Sequence, residues 1–199
     1  NIKINNKILL SYIFIISFVY PKNNDYDVAI EKFMEGEYYV LHHKYSEAES
    51  NFLIALSKFP NSSSILQSLA DLNLSQGSFS KSIYYLEKII LLNPKNKIVG
   101  LQLYELYIQE MQLDKANSLL NQLLKYYPNN LELLNRKINI NYVNNNWDSL
   151  LNNYRLIYEL VREDHKQNIL ISMYEIGIST NNQLLIINLF EQIYSKNQN

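Results

Sequence analysis

The chain of 199 residues contains no cysteine. Disulfides, thiolate metal sites, a thiol nucleophile and a lipid-modified N-terminal cysteine are therefore excluded. There are only four glycines, Gly36, Gly77, Gly100 and Gly177, and they stand far apart. Phosphate-cradling loops need two or three glycines close together, so no nucleotide motif of that kind is present. No G-x-S-x-G elbow surrounds any serine. Charge of one sign is also missing. The net charge is -1, from 18 basic and 19 acidic residues, with a pI near 6.4. That balance offers no electrostatic footprint for a phosphate backbone, so no nucleic-acid partner is expected. Methionine does not open the chain, which begins at Asn1. A trimmed chain or an incomplete reading frame is the expectation.

Asparagine, isoleucine, lysine and tyrosine are abundant throughout, as AT-rich coding produces, so asparagine is expected even inside helices. Near the start, Lys3 and Lys7 precede an uncharged, mostly apolar run from Ile8 to Tyr20, followed by Pro21. As a helix this run rises about 20 Å, short of a hydrocarbon core of roughly 30 Å. A charged start and a short apolar middle fit a secretory signal peptide over residues 1–20. The cleavage site is poor, with Ser17 the best small residue, so a membrane anchor is the second reading and a buried first helix the third. The first two readings place the remainder outside a bacterial cytoplasm, in the periplasm. Residues 21–28 read as a linker.

Only four prolines occur, and three of them repeat at a fixed interval: Pro60, Pro94 and Pro128 are 34 residues apart. A period of this length signals a helical array. Windows 29–62, 63–96, 97–130 and 131–164 each read as helix A, turn, helix B, turn. In the first, helix A covers roughly Val28–His42 and helix B roughly Ser46–Lys58. Ser46-Glu47-Ala48-Glu49 has the form of a capping box at the start of that B helix. Each proline then ends a B helix, because it lacks an amide hydrogen and clashes with the preceding turn.

These windows resemble the tetratricopeptide repeat. The first carries Gly36, Tyr39, Ala48, Phe52, Ala55 and Pro60 at the places that define the family. The second carries Ala70, Asn73, Ser82, Leu86, Ile89 and Pro94, with Gly77 in the A–B turn and Phe79 two residues on. The third carries Tyr104, Tyr107, Ala116, Leu120, Leu123 and Pro128. The fourth is degenerate, with Ile138, Asn141, Leu150, Tyr154 and Ile157, Trp147 after its A–B turn, and Arg162 in place of proline. A fifth pair, about Gln167–Ser179 and Asn182–Lys196 within 167–198, follows after a two-residue slip. The resemblance implies an all-α, right-handed superhelical solenoid of about five antiparallel helix pairs over 29–199. Small residues at Gly36, Ala48 and Ala55 are expected to meet one another across the first pair. Tyr104, Ile138, Leu150 and Ile157 stand where the family prefers small groups, so later pairs are expected to be more widely splayed. "LLIINLFEQIY" leaves the last helix apolar, and either further chain or a partner is expected to cover it.

The family resemblance further implies a concave face, lined by the A helices, that holds a peptide or a partner helix. On that face stand Glu37, Asp71, Glu105 and Asn139, with Phe33, Gln67 and Leu101 beside them. A column of carboxylates there would favour a basic or neutral partner segment with apolar anchors. No catalytic, metal or cofactor residue is expected. His42 and His43 are adjacent and point to different faces, and His165 stands alone, so no ligand set forms. "NYVNNNW", residues 141–147, reads as an asparagine-rich A–B turn whose asparagines reflect coding bias. The function expected is a non-catalytic protein-interaction scaffold that takes no cofactor and no small-molecule substrate. The alternative is the regulatory or substrate-docking region of a longer enzyme whose catalytic domain lies beyond residue 199.

Overall fold

A computed structural model describes residues 24–196, and among them there are ten helices and no strand. The expected signal or anchor segment lies outside the described residues. The chain divides into two compact units, the first ending at Leu92 and the second starting at Asn93. The first holds α1 (Asn24–Leu41), α2 (Tyr45–Lys58), α3 (Ser63–Ser75) and α4 (Phe79–Leu92). The second holds α5 (Lys97–Gln109), α6 (Leu113–Tyr126), α7 (Leu131–Val143), α8 (Trp147–Leu160), α9 (Glu163–Ser179) and α10 (Gln183–Lys196). Odd-numbered helices are the A helices and even-numbered ones the B helices. Helix α1 begins four residues before the expected Val28, so residues 24–28 are helix rather than linker.

The prolines do what their spacing predicts. Each stands two residues past the end of a B helix: Pro60 after Lys58, Pro94 after Leu92 and Pro128 after Tyr126. The residues before Pro60 and Pro128 are driven out of the helical region, at φ -128° for Phe59 and -131° for Tyr127. Two residues after each proline, a side-chain oxygen caps the next A helix. Ser62, Asn96 and Asn130 accept from the amides of Ile65, Val99 and Leu133 at 3.5, 3.2 and 3.0 Å. Arg162 breaks this pattern. Without a proline no four-residue corner forms, and α9 starts at Glu163, four residues before the expected Gln167. Its first turn carries Glu163 and Asp164, which suit the positive end of a helix.

The A–B corners are built differently. His43, Gly77, Met111, Asn145 and Asn181 all adopt positive φ, between 54° and 70°. At each, the amide reaches back three residues and the next amide reaches back five, as Gly77 N–H to Leu74 O (3.0 Å) and Ser78 N–H to Asn73 O (2.8 Å). Five consecutive A helices thus end in the same left-handed closure. "NYVNNNW" is the A–B turn expected, but its asparagines are more than coding bias. Asn145 supplies the left-handed residue, Asn146 accepts from the Ser149 amide at 3.3 Å, and Asn141 is buried. The expected capping box is also absent. The closure at His43 delivers the chain into α2 at Tyr45, so Ser46 already lies inside the helix, and Glu49 instead pairs with Lys81 at 2.8 Å.

Each pair is held by apolar side chains between its helices. Ala48, Phe52, Ala55, Leu66, Leu69 and Leu86 are fully buried in the first unit, as Leu120, Leu123, Leu133 and Leu150 are in the second. Burial on this scale stabilises by roughly 1.5–3 kcal/mol for each large side chain. Gly36 is buried, but what crowds it is the Phe52 ring rather than Ala48 or Ala55. The same device recurs, Gly100 making room for Leu123 and Gly177 for Ile186.

Candidate partner-binding face

In the first unit, α1 carries Phe33 and Glu37, and α3 carries Gln67 and Asp71. The Ser68 hydroxyl donates to Glu37 at 2.6 Å, tying α3 to α1. The Gln67 amide donates to Asp71 at 2.9 Å along α3. Phe33 lies half-buried, its ring 5.7 Å from that of Phe52. Beside it opens an apolar cleft of about 320 Å³, lined by Tyr26, Ile30, Phe33, Phe59 and Ile65. Phe59, the residue that Pro60 keeps out of the helical region, meets Tyr26 edge-on at 5.8 Å and forms one wall. Phe33 alone of these was a sequence candidate. Tyr26 and Ile30 stand on the same helix as Phe33, but Phe59 comes from the corner and Ile65 from α3, so a repeat-by-repeat reading does not assemble the cleft.

In the second unit, α5 carries half-buried Leu101 and exposed Glu105, and α7 carries exposed Asn139. Glu105 is not a bare carboxylate. Arg136 of α7 donates to it, donates also to Glu132 at 3.2 Å, and lies over the Tyr104 ring at 5.1 Å. Burial, with Glu105 adding to it, raises the Tyr104 hydroxyl above the usual tyrosine range. All three acids expected on this face therefore already have partners within the chain. Lys137, one residue on from Arg136, is half-buried and donates to Asn117, and burial holds its ammonium below the usual lysine range.

His42 and His43 serve the first A–B corner. His42 Nδ1 lies 2.8 Å from the Tyr38 carbonyl, and His43, at positive φ, lies 3.0 Å from the Tyr45 hydroxyl. Among the described residues no group of three His, Cys, Asp or Glu side chains is placed to hold a metal. None of the described helices is long and apolar enough to cross a membrane. On the last pair, a second apolar cleft of about 270 Å³ opens between α9 and α10, lined by Tyr174, Gly177, Ile178, Ile186, Ile187 and Phe190.

These features agree with known proteins. The tetratricopeptide-repeat profile matches residues 73–137. No curated protein matches the chain in sequence. Among solved structures, MamA from Desulfovibrio magneticus RS-1 (its residue 41 to the end) is 9% identical, with a TM-score of 0.56, over 86% of this chain and 96% of that one. A second MamA structure gives a TM-score of 0.59 at 12% identity, over 86% and 93%. YrrB, described as a TPR protein with an unusual peptide-binding site, gives 0.57 at 11% identity, over 82% and 83%. At such identities the likeness speaks for the fold, an all-α repeat superhelix. The prolines at 34-residue spacing, the five like A–B closures and the profile match over residues 73–137 agree, and together they support a tetratricopeptide-repeat fold for the chain.

Proposed function

We propose that this protein is a non-catalytic interaction scaffold whose A-helix face holds an extended peptide or a helix of a protein partner. The observation that carries this reading is the open apolar cleft around Ile30 and Phe33, with Glu37 four residues on from Phe33 along α1. Ligand sites are concave and mainly apolar, with a few polar groups that fix orientation. One aromatic or aliphatic side chain of a partner fits the cleft, and the neighbouring acids favour lysine or arginine beside it. The solved structure of YrrB, titled as a peptide-binding TPR protein, supports the use of such a fold in this way. The proposal includes export: residues 1–20 direct the chain out of a bacterial cytoplasm, as a cleaved signal or an anchor.

Panning a random peptide library on the purified chain tests the binding reading. Enriched sequences carry an apolar anchor next to a basic residue, and Phe33→Glu abolishes their binding. Enrichment of acidic termini, or unchanged binding to Phe33→Glu, overturns it. Export is tested by fusing residues 1–27 to a reporter active only outside the cytoplasm, and a silent, well-expressed fusion overturns that part.

A further inference from the structure

Within each unit an A helix packs against the B helix before it, α3 on α2, α7 on α6 and α9 on α8. On α8 the covered flank holds Leu151 and Tyr158, only 7 and 8% exposed. They lie in one apolar cluster with buried Met173 of α9, and Ile169 and Ile176 of the same helix pack on that cluster. The incoming helix thus presents apolar side chains at i, i+4 and i+7. In the first unit, α3 repeats this spacing with buried Ile65, Leu69 and Leu72. Helix α10 is the counterpart of α8, since each starts two residues after a left-handed asparagine, Asn181 and Asn145. Counted from those starts, Ile187 and Tyr194 take the places of Leu151 and Tyr158, yet they are 52 and 67% exposed. Among the described residues no helix follows α10. The apolar cleft between α9 and α10 opens beside this flank, with Ile187 in its wall.

We infer that this open flank is a second docking surface, and that its occupant is a helix of a partner protein with apolar residues at i, i+4 and i+7 and lysine or arginine beside them. The contact of α9 on α8 sets the apolar spacing, because the same flank on α10 is completed by the same filling. The rim sets the charge. Exposed Glu175 and Glu191 directly follow Tyr174 and Phe190 of the cleft lining. Helices α9 and α10 carry Glu163, Asp164, Glu175 and Glu191 against Lys166 and Lys196, and Lys166 already pairs with Glu163 at 2.8 Å. Charge also decides against a second copy of this chain. Helix α1 exposes Met34, Tyr38 and Leu41 at the required spacing. It also carries Asp25, Asp27, Glu31, Glu35 and Glu37 against Lys32, so like charges would face each other across such a contact.

The flank belongs to the second unit and stands whether or not the Phe33 cleft of the first unit binds peptide. Fluorescence anisotropy on the full chain tests it with a synthetic peptide of about 16 residues, long enough to hold a helix. The peptide carries leucine at i, i+4 and i+7 and lysine on its flanks. One control has glutamate for each lysine, and another has the same leucines at every second position. The lysine-flanked helix is expected to bind about ten-fold more tightly than either control. Ile187→Glu is expected to weaken it about ten-fold by placing a charge in an apolar contact, and Tyr194→Glu, at a more exposed position, repeats the measurement. Glu175→Lys together with Glu191→Lys reverses the preference between lysine and glutamate flanks. Phe33→Glu leaves this binding unchanged, which separates it from the peptide-panning outcome. Equal binding of the three peptides, unchanged binding in both Ile187→Glu and Tyr194→Glu, an unaltered flank preference, or loss of binding in Phe33→Glu overturns the proposal. So does a dimer of the parent chain in sedimentation that Ile187→Glu dissolves, because the occupant is then a second copy.

Discussion

Gly36 stands so close to Phe52 that a Cβ added to it would lie 2.4 Å from the ring's Cε1. The ring has no room to retreat, because Phe52 is fully buried between α1 and α2. Gly36→Ala gains about 1 kcal/mol of helix propensity, while overpacking costs about 1–3 kcal/mol. The overpacking term wins, and Gly36→Ala lowers the urea midpoint by the equivalent of about 1 kcal/mol. Adding Phe52→Leu to that variant restores part of the loss, whereas Phe52→Leu alone destabilises.

The A–B corners give opposite substitutions opposite signs. Met111 holds φ at 57° where Gly77 holds 70° in the preceding repeat. The left-handed conformation costs a residue with a Cβ roughly 1–2 kcal/mol. Met111, 83% exposed, loses no packing when truncated. Met111→Gly is therefore expected to stabilise by about 1 kcal/mol, net of the larger unfolded-state entropy of glycine. Gly77→Ala is expected to destabilise by a similar amount, although nothing stands within 4 Å of its would-be Cβ. Thermal midpoints that move the same way in both variants would contradict this account.

Lys137 occupies a place in α7 where α3 has Leu69, α5 has Leu103 and α9 has Met173, all buried. Burial depresses its folded-state pKa, so the folded protein disfavours the charged form at neutral pH. That cost is relieved as pH rises through the lowered value towards the ordinary lysine range, where stability gains. Lys137→Met removes the cost and is expected to stabilise by about 0.5–1 kcal/mol at pH 7, a modest figure because the site is only half-buried. The difference between variant and parent should shrink as pH approaches 10.5, the ordinary lysine value. Unfolding curves at several pH values check both the sign and the slope.

Arg136 holds Glu105 and Glu132 together on the second unit. Arg136→Met leaves its packing on Tyr104 largely intact but strips both carboxylates of their partner. A peptide with a basic flank that engages the second unit should then bind more tightly and with a steeper salt dependence. Replacing Glu37→Gln, Asp71→Asn and Glu105→Gln together should act in the opposite direction. Titrations at low and high salt separate the two, and equal affinities in all three proteins would mean these acids only keep the surface hydrated.

The repeat register, the helix pairing and the positions of Pro60, Pro94 and Pro128 were determined by the sequence alone. Proline's missing amide and fixed φ act locally, so its consequence is legible wherever it stands. Gly77 as a left-handed residue was legible for the same reason, its lack of a Cβ. His43, Met111, Asn145 and Asn181 adopt the same conformation without glycine, because the hydrogen bonds of the closure and the packing of the following B helix impose it. Tertiary structure also decided that Phe52 is what crowds Gly36, that Arg136 neutralises Glu105, and that a cleft forms from Tyr26, Phe33, Phe59 and Ile65. Each of those joins residues from different helices or corners, where distances depend on how closely two helices approach. That approach is set by the summed volumes of side chains on both, and no single window of the sequence contains them.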